Sequence, residues 1–217
     1  MKLQRAMAVE DKEERRQEIL DAVEALYLAH PDRMPSVAEV ADRAGVAKGT
    51  VYLYFPSKEE MLLALHGRHV EHFFTALGKK LREPGPLDFD GVFAVTREHM
   101  IRVPGYLALT SRCFGMMDRE IPVETALAFK ARIAQILMAA GSGLERHFKL
   151  EHGEGLVLLM HSYALIVGLW QVLHPNDRFG KNMTHPEVKA LMLDYDREIE
   201  SALRALWAGT LDKKGKR

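Results

Sequence analysis

"VAEVADRAGVAKGTVYLYF", residues 37–55, sets one glycine between two short apolar runs and then gathers Lys48, Gly49, Thr50, Tyr52 and Tyr54 into one segment. Counted from Val37, the apolar positions fall at Val40, Ala41, Ala44, Val46, Val51 and Tyr54, with Gly45 in ninth place. That spacing suits two helices wedged at a fixed angle, with Ala41 small enough for close approach and Gly45 free to take the positive φ of a tight turn. A helix-turn-helix fits, and so does an ordinary helical hairpin. The outward residues favour the first. With Ala47–Tyr54 as the second helix, Lys48, Gly49, Thr50 and Tyr52 lie in its first turns, where side chains reach base edges in a major groove. Gly49 costs about 1 kcal/mol relative to alanine inside a helix, which close approach to another surface would explain. Thr50 and Tyr54 offer hydroxyls to phosphates, and Lys58 adds a charge beside the start of the next helix, which itself favours an anion.

Helical periodicity continues on both sides. Ile19, Leu20, Val23, Leu26 and Tyr27 form one stripe of a helix over Glu13–Ala29, stopped by His30-Pro31. Ser36 with Glu39, and Ser57 with Glu60, have capping-box spacing. The second box opens a long helix carrying Leu62, Leu65, Val70, Phe73, Leu77 and Leu81. Pro84-Gly85-Pro86 follows it and is the expected domain boundary, giving domains at 1–82 and 83–217. Beyond it, helices are predicted over Phe89–Val103, Tyr106–Met117, Val123–Phe148, Glu154–His174 and Pro186–Trp207. Val188, Leu191, Met192, Tyr195, Ile199, Leu203 and Leu206 make the last strongly amphipathic. The predicted class is all-α.

The chain has 217 residues, 47% of them hydrophobic, and a formal net charge of zero, so any polyanionic partner must be recognised locally. Its single cysteine, Cys113, allows no intramolecular disulfide, and "MKLQRAMAVEDKEERR" lacks the apolar core of a signal peptide, which points to the cytoplasm. Residues 155–173, "GLVLLMHSYALIVGLWQVL", are long and apolar enough for a membrane span. His161, Ser162, Tyr163 and Gln171 interrupt them, and an all-round apolar helix also suits a bundle centre or a subunit interface, which is the reading adopted. The basic end, "KKGKR", reads as a solvated tail.

Residues 36–62, "SVAEVADRAGVAKGTVYLYFPSKEEML", resemble the DNA-binding signature of the TetR family of bacterial transcriptional regulators, in the "VADRAGV" turn, the "KGTVYLYF" recognition helix and the "SKEEML" start of the fourth helix. The resemblance implies an N-terminal three-helix DNA-binding domain joined by a long fourth helix to a larger helical bundle for ligand binding and dimerisation. It implies base contacts from Lys48, Gly49 and Tyr52, and phosphate contacts from Ser36, Thr50, Tyr54 and Lys58. Two features depart from the family pattern. Ala47 stands where a serine or threonine cap is common, and residues 36–60 carry three bases (Arg43, Lys48, Lys58) against four acids (Glu39, Asp42, Glu59, Glu60). Affinity then falls to a few placed contacts, helix N-termini and a flexible arm bearing Lys2 and Arg5.

Other constellations read as structural. His66, His69 and His72 recur every third residue, which suits either a shared metal or a solvated histidine face, and no fourth ligand has clear spacing. Cys113 sits among apolar residues as a small buried hydrophobe, with a redox switch as the alternative. No nucleophile elbow, phosphate-cradling loop or paired carboxylates point to an enzyme, and no cofactor is implied. The second domain is rich in methionine and aromatic residues, which suit either plain core or a deformable pocket for an apolar or amphipathic effector. Met100, Phe114, Met117, Phe129, Met138, His161, Tyr163 and Trp170 are the candidate effector contacts, with His161, Tyr163 and Gln171 as the polar groups that burial would oblige to find partners.

The combined expectation is a ligand-responsive repressor, no enzyme, that pairs two copies through the helices at 154–174 and 186–207 and binds a near-palindromic double-stranded operator. A helical sensor or adaptor that has lost DNA binding is the alternative suggested by the acidic balance, and a small helical enzyme working through His161 or Tyr163 is a third reading.

Overall fold

The computed structural model describes residues 2–31, 33–174 and 186–212, and every regular element among them is helical. In chain order these are α1 (Lys2–Ala29), α2 (Val37–Ala44), α3 (Lys48–Tyr54), α4 (Lys58–Lys80), α5 (Phe89–Thr96), a π-helical turn (Arg97–Ile101), α6 (Tyr106–Met117), α7 (Val123–Phe148), α8 (Glu154–Leu173), α9 (Pro186–Lys189) and α10 (Tyr195–Leu211). The basic tail at 213–217, the loop at 175–185 with Met183, and the side chains of Lys2, Arg5 and Val188 lie outside the described residues.

The chain packs as two compact units, Met1–His69 with Pro104–Ala128, and Val70–Val103 with Phe129–Arg217. Residues 70–82, placed by the sequence in the first domain, fall in the second unit, and α6 falls in the first. Its buried Tyr106, Leu109, Cys113 and Met116 complete a core made by Ile19, Leu20, Val23 and Tyr27 of α1, Val40 and Ala41 of α2, Val51 of α3, and Met61, Leu62 and Leu65 of α4. Burying each of these larger apolar side chains stabilises by about 1.5–3 kcal/mol. Arg68 of α4 ties the outside of this core to Asp21 and Glu24 of α1.

In the second unit, α10 lies on α8, with Trp207 Nε1 donating to Ser162 Oγ at 3.1 Å and the Tyr195 hydroxyl to the Ile166 carbonyl at 3.0 Å. Phe89 and Phe148 both set their rings edge-on to Trp207. Where α7 meets α8, Gly141 and Gly155 bring the two backbones together, and the Glu145 carboxylate accepts from the amides of Gly153 and Gly155.

Three expected helices change shape. The first begins at Lys2, so the segment expected as a flexible arm is helical. The helix after Pro86 turns π-helical at Arg97–Ile101 and ends before Gly105, which takes φ 71°. The helix expected over Pro186–Trp207 is broken: Asp194 accepts from the Arg197 amide at 2.8 Å and caps a new start, leaving Leu191 67% and Met192 45% exposed. The apolar periodicity ran through a capping residue whose own carboxylate satisfies the amides there.

Candidate nucleic-acid interface

α2 is set at its start by a closed capping box. Ser36 Oγ accepts from the Glu39 amide at 3.3 Å, the Glu39 carboxylate accepts from the Ser36 amide at 2.9 Å, and Arg33 donates to both of its oxygens. The Arg33 guanidinium, then the Ser36 amide and hydroxyl, pull the Glu39 carboxyl down to about 2. Arg33 lies just outside residues 36–60, and it pairs with one of the four acids there. The Ser36 hydroxyl donates to Glu39 Oε2 at 2.8 Å as well, so its hydrogen-bonding capacity serves the cap first.

At the other end Gly45 takes φ 67° and ψ 32°, donating to the carbonyls of α2, and Val46 N follows by donating to Ala41 O at 3.0 Å. This left-handed glycine turns the chain into α3. Ala47 begins that helix with no side-chain cap, as its residue type foretold, and only backbone bonds from Thr50 and Val51 to the Ala47 carbonyl close the first turn. What holds α3 is Val51, which is wholly buried.

With about 100° per residue, Val51 fixes where every other side chain of α3 goes. Lys48 and Tyr52 fall on one flank, about 60° and 100° from Val51, and are exposed. Gly49 and Leu53 fall about 160° from Val51, straight outward. A Cβ on Gly49 would meet nothing within 4 Å, so no packing in the chain requires glycine there. Thr50 and Tyr54 are half-buried between core and surface. Lys58 is exposed with its Nζ 3.7 Å from Glu59, and Ser57 caps α4 by accepting from the Glu60 amide at 3.1 Å. Leu53, 81% exposed, is the position that sequence reasoning missed. A leucine reads as core in a linear pattern, and only its angle from Val51 sends it outward.

The candidate effector contacts are divided between the units, Phe114 and Met117 in the first and the other six in the second. Met100 is buried in the π-helical turn, and Trp170 stacks on His174 at 5.0 Å. Phe129, Tyr163 and Met117 are half-buried, while Phe114 is 43% and Met138 51% exposed. His161 and Gln171 are exposed on α8, so burial does not force partners on them. The reason is that α8 buries only one side. Val157, Met160 and Val172 on the other are 48%, 55% and 69% exposed, and the helix is long and apolar enough to cross a membrane.

The three histidines of α4 have different partners beyond the Tyr106 ring that His66 and His69 share. His66 is buried, 3.4 Å from Thr110 Oγ1 and stacked on Tyr106; His69 Nε2 is 3.1 Å from Glu24; and the His72 ring lies 5.4 Å from that of His99. Burial pushes the His66 ring down to about 3. Cys113 is buried with its sulfur 3.8 Å from the Leu62 carbonyl, and desolvation pushes its thiol up to about 12, which keeps it protonated and unreactive at neutral pH.

Comparison with known proteins now joins the geometry. Residues 19–65 match the bacterial regulatory proteins of the tetR family, and residues 67–214 match a tetracyclin repressor-like C-terminal domain. Across 210 residues the chain is 35% identical to the HTH-type transcriptional activator FasR of Mycolicibacterium smegmatis, covering 91% of this chain and 84% of that one. It is 39% identical over 114 residues to the HTH-type transcriptional repressor KstR of Rhodococcus jostii, about half of each chain (52% and 53%). A TetR-family transcriptional regulator from Streptomyces coelicolor shares the fold, with a TM-score of 0.56 at 22% identity over 90% of this chain and 99% of that one. A helix-turn-helix with its recognition helix turned outward, followed by a helical C-terminal region, makes this chain a DNA-binding transcriptional regulator that belongs to the TetR family.

Proposed function

We propose that the chain works in the cytoplasm as a homodimer on a near-palindromic operator, represses from it, and is released by a small apolar or amphipathic effector. The observation that carries this reading is the outward face of α3, where Lys48, Gly49, Tyr52 and Leu53 are exposed and no neighbouring side chain of the fold crowds the glycine. Lys48, Gly49 and Tyr52 are assigned to base edges. Lys58, Tyr54 and Thr50 are assigned to phosphates, with Ser36 contributing once the helix cap is served.

A second copy is the proposed cover for Val157, Met160 and Val172 on the outer side of α8, with α10 beside it. Pairing of this kind would set two α3 helices on successive major grooves, roughly 34–36 Å apart. The effector is assigned to methionine and aromatic side chains of the second unit, among Met100, Phe129, Met138, Tyr163 and Trp170, and its uptake would act by changing that spacing.

The relative matched over most of the chain is named an activator, which supports a second reading of the sign of control. The same occupied operator, placed beside a promoter instead of across it, would raise transcription. Selection of bound fragments from random duplex DNA, with wild type and with Lys48→Ala plus Tyr52→Ala, tests the core of the proposal. A palindrome enriched by wild type alone supports it, and its position in a promoter-reporter fusion decides the sign. No enrichment at low or moderate salt refutes operator binding by the free protein and puts the adaptor reading first.

A further inference from the structure

We infer that Leu53 determines operator specificity by packing against the 5-methyl group of a thymine in each half-site. The inference rests on the reading that the outward face of α3 enters the major groove, and it names what one position on that face recognises. No other exposed large apolar side chain among the described residues is as open as Leu53, at 81%. Single exposed leucines are ordinary on protein surfaces, so exposure alone says nothing. Its position does.

Leu53 follows Gly49 by one turn on the side of α3 opposite the buried Val51. Gly49 puts no side chain on this face one turn earlier, and a Cβ placed there would meet nothing within 4 Å. A surface meeting this face therefore reaches the backbone at Gly49 and the isobutyl group of Leu53 together, with Lys48 and Tyr52 along one flank. Those two bring a charge and a hydroxyl suited to hydrogen-bonding edges. Leu53 has neither donor nor acceptor. Of the groups that the four base pairs present in the major groove, the thymine methyl is the apolar one, so an aliphatic side chain there distinguishes thymine from cytosine by contact instead of by hydrogen bond.

The test replaces thymine by deoxyuridine, one position at a time, in the duplex selected by the wild-type protein. Deoxyuridine keeps every hydrogen-bonding group and removes only the methyl. Wild type should lose about fourfold in affinity at one thymine of each half-site, the scale of burying one methyl group, and about fifteenfold when both are replaced. Leu53→Ala should bind the thymine and uracil duplexes equally while remaining sensitive to Lys48→Ala. Leu53→Gln should move the preference at that one position towards adenine, which offers a donor and an acceptor to an amide. Unchanged melting temperatures would show that both variants fold. Uracil substitution without effect, or a uracil penalty that survives in Leu53→Ala, would overturn the inference while leaving operator binding intact. Failure of wild type to bind any duplex would overturn operator binding and this inference with it.

Discussion

Gly141 and Gly155 face each other across the α7–α8 crossing with no room for a Cβ on either: one on Gly141 would stand 2.7 Å from the Leu156 nitrogen, and one on Gly155 would collide with the Gly141 carbonyl. Both neighbours are backbone, so neither can rotate away. Gly155→Ala should destabilise by about 1–3 kcal/mol, the range for forced overpacking. Gly115→Ala, on the exposed side of α6 with nothing within 4 Å of its Cβ, should instead stabilise by about 0.5–1 kcal/mol. Thermal melts of the two variants beside wild type check both signs.

Gly49→Ala separates fold from recognition. The added methyl meets no neighbour within the chain, so the variant should be more stable by about 0.5–1 kcal/mol. If the face reads base edges, the same variant should bind the selected duplex about tenfold more weakly, since a methyl holds the helix off the groove. Melting and titration on one preparation would show stability and affinity moving in opposite directions.

His66 makes stability depend on acidity. Burial keeps the folded ring neutral down to about 3, whereas the unfolded ring protonates below its ordinary 6.5. Between those values unfolding takes up a proton, so stability is full above 6.5 and falls with decreasing pH by roughly 1 kcal/mol per unit. His66→Gln should flatten this slope in chemical denaturation series from pH 7 to pH 4. An unchanged slope would assign the acid sensitivity to other groups.

Val172→Glu places a charge on the open side of α8 without touching the buried core. With two copies paired there, the variant should sediment as a monomer while wild type sediments as a dimer, and half-site spacing should disappear from selected DNA. A dimeric variant would move the pairing surface elsewhere.

The parts of the fold most legible in sequence were those fixed by neighbours in the chain. The box at Ser36 and Glu39, the turn at Gly45 and the uncapped start at Ala47 each depend on residues within a few positions, and each is present as read. Legibility failed where tertiary context decides. Leu191 and Met192 kept the helical period yet remain exposed, because Asp194 restarts the helix and α10 turns Ile199, Leu203 and Trp207 inward instead. On α8, apolarity left a bundle centre and a subunit interface both open, and within the chain one side only is buried, which brings His161 and Gln171, expected to be buried, to the surface. Leu53 shows the same limit inside the motif itself: hydrophobicity names a residue's preference, and the neighbour that anchors the helix names its direction.

That anchoring has a further consequence for how such a protein changes over generations. α3 is short, starts without a side-chain cap and contains a glycine, and it is seated through Val51 alone among its fully buried residues. Lys48, Gly49, Tyr52 and Leu53 are all exposed, with Gly49 and Leu53 opposite that seat. Substitutions at these four positions leave the buried seat untouched, so gene duplication followed by drift on this exposed surface could yield regulators that recognise new sites on an unchanged scaffold. Val51 has no such freedom. The helix that reads is disposable in its letters and fixed only at its hinge pin.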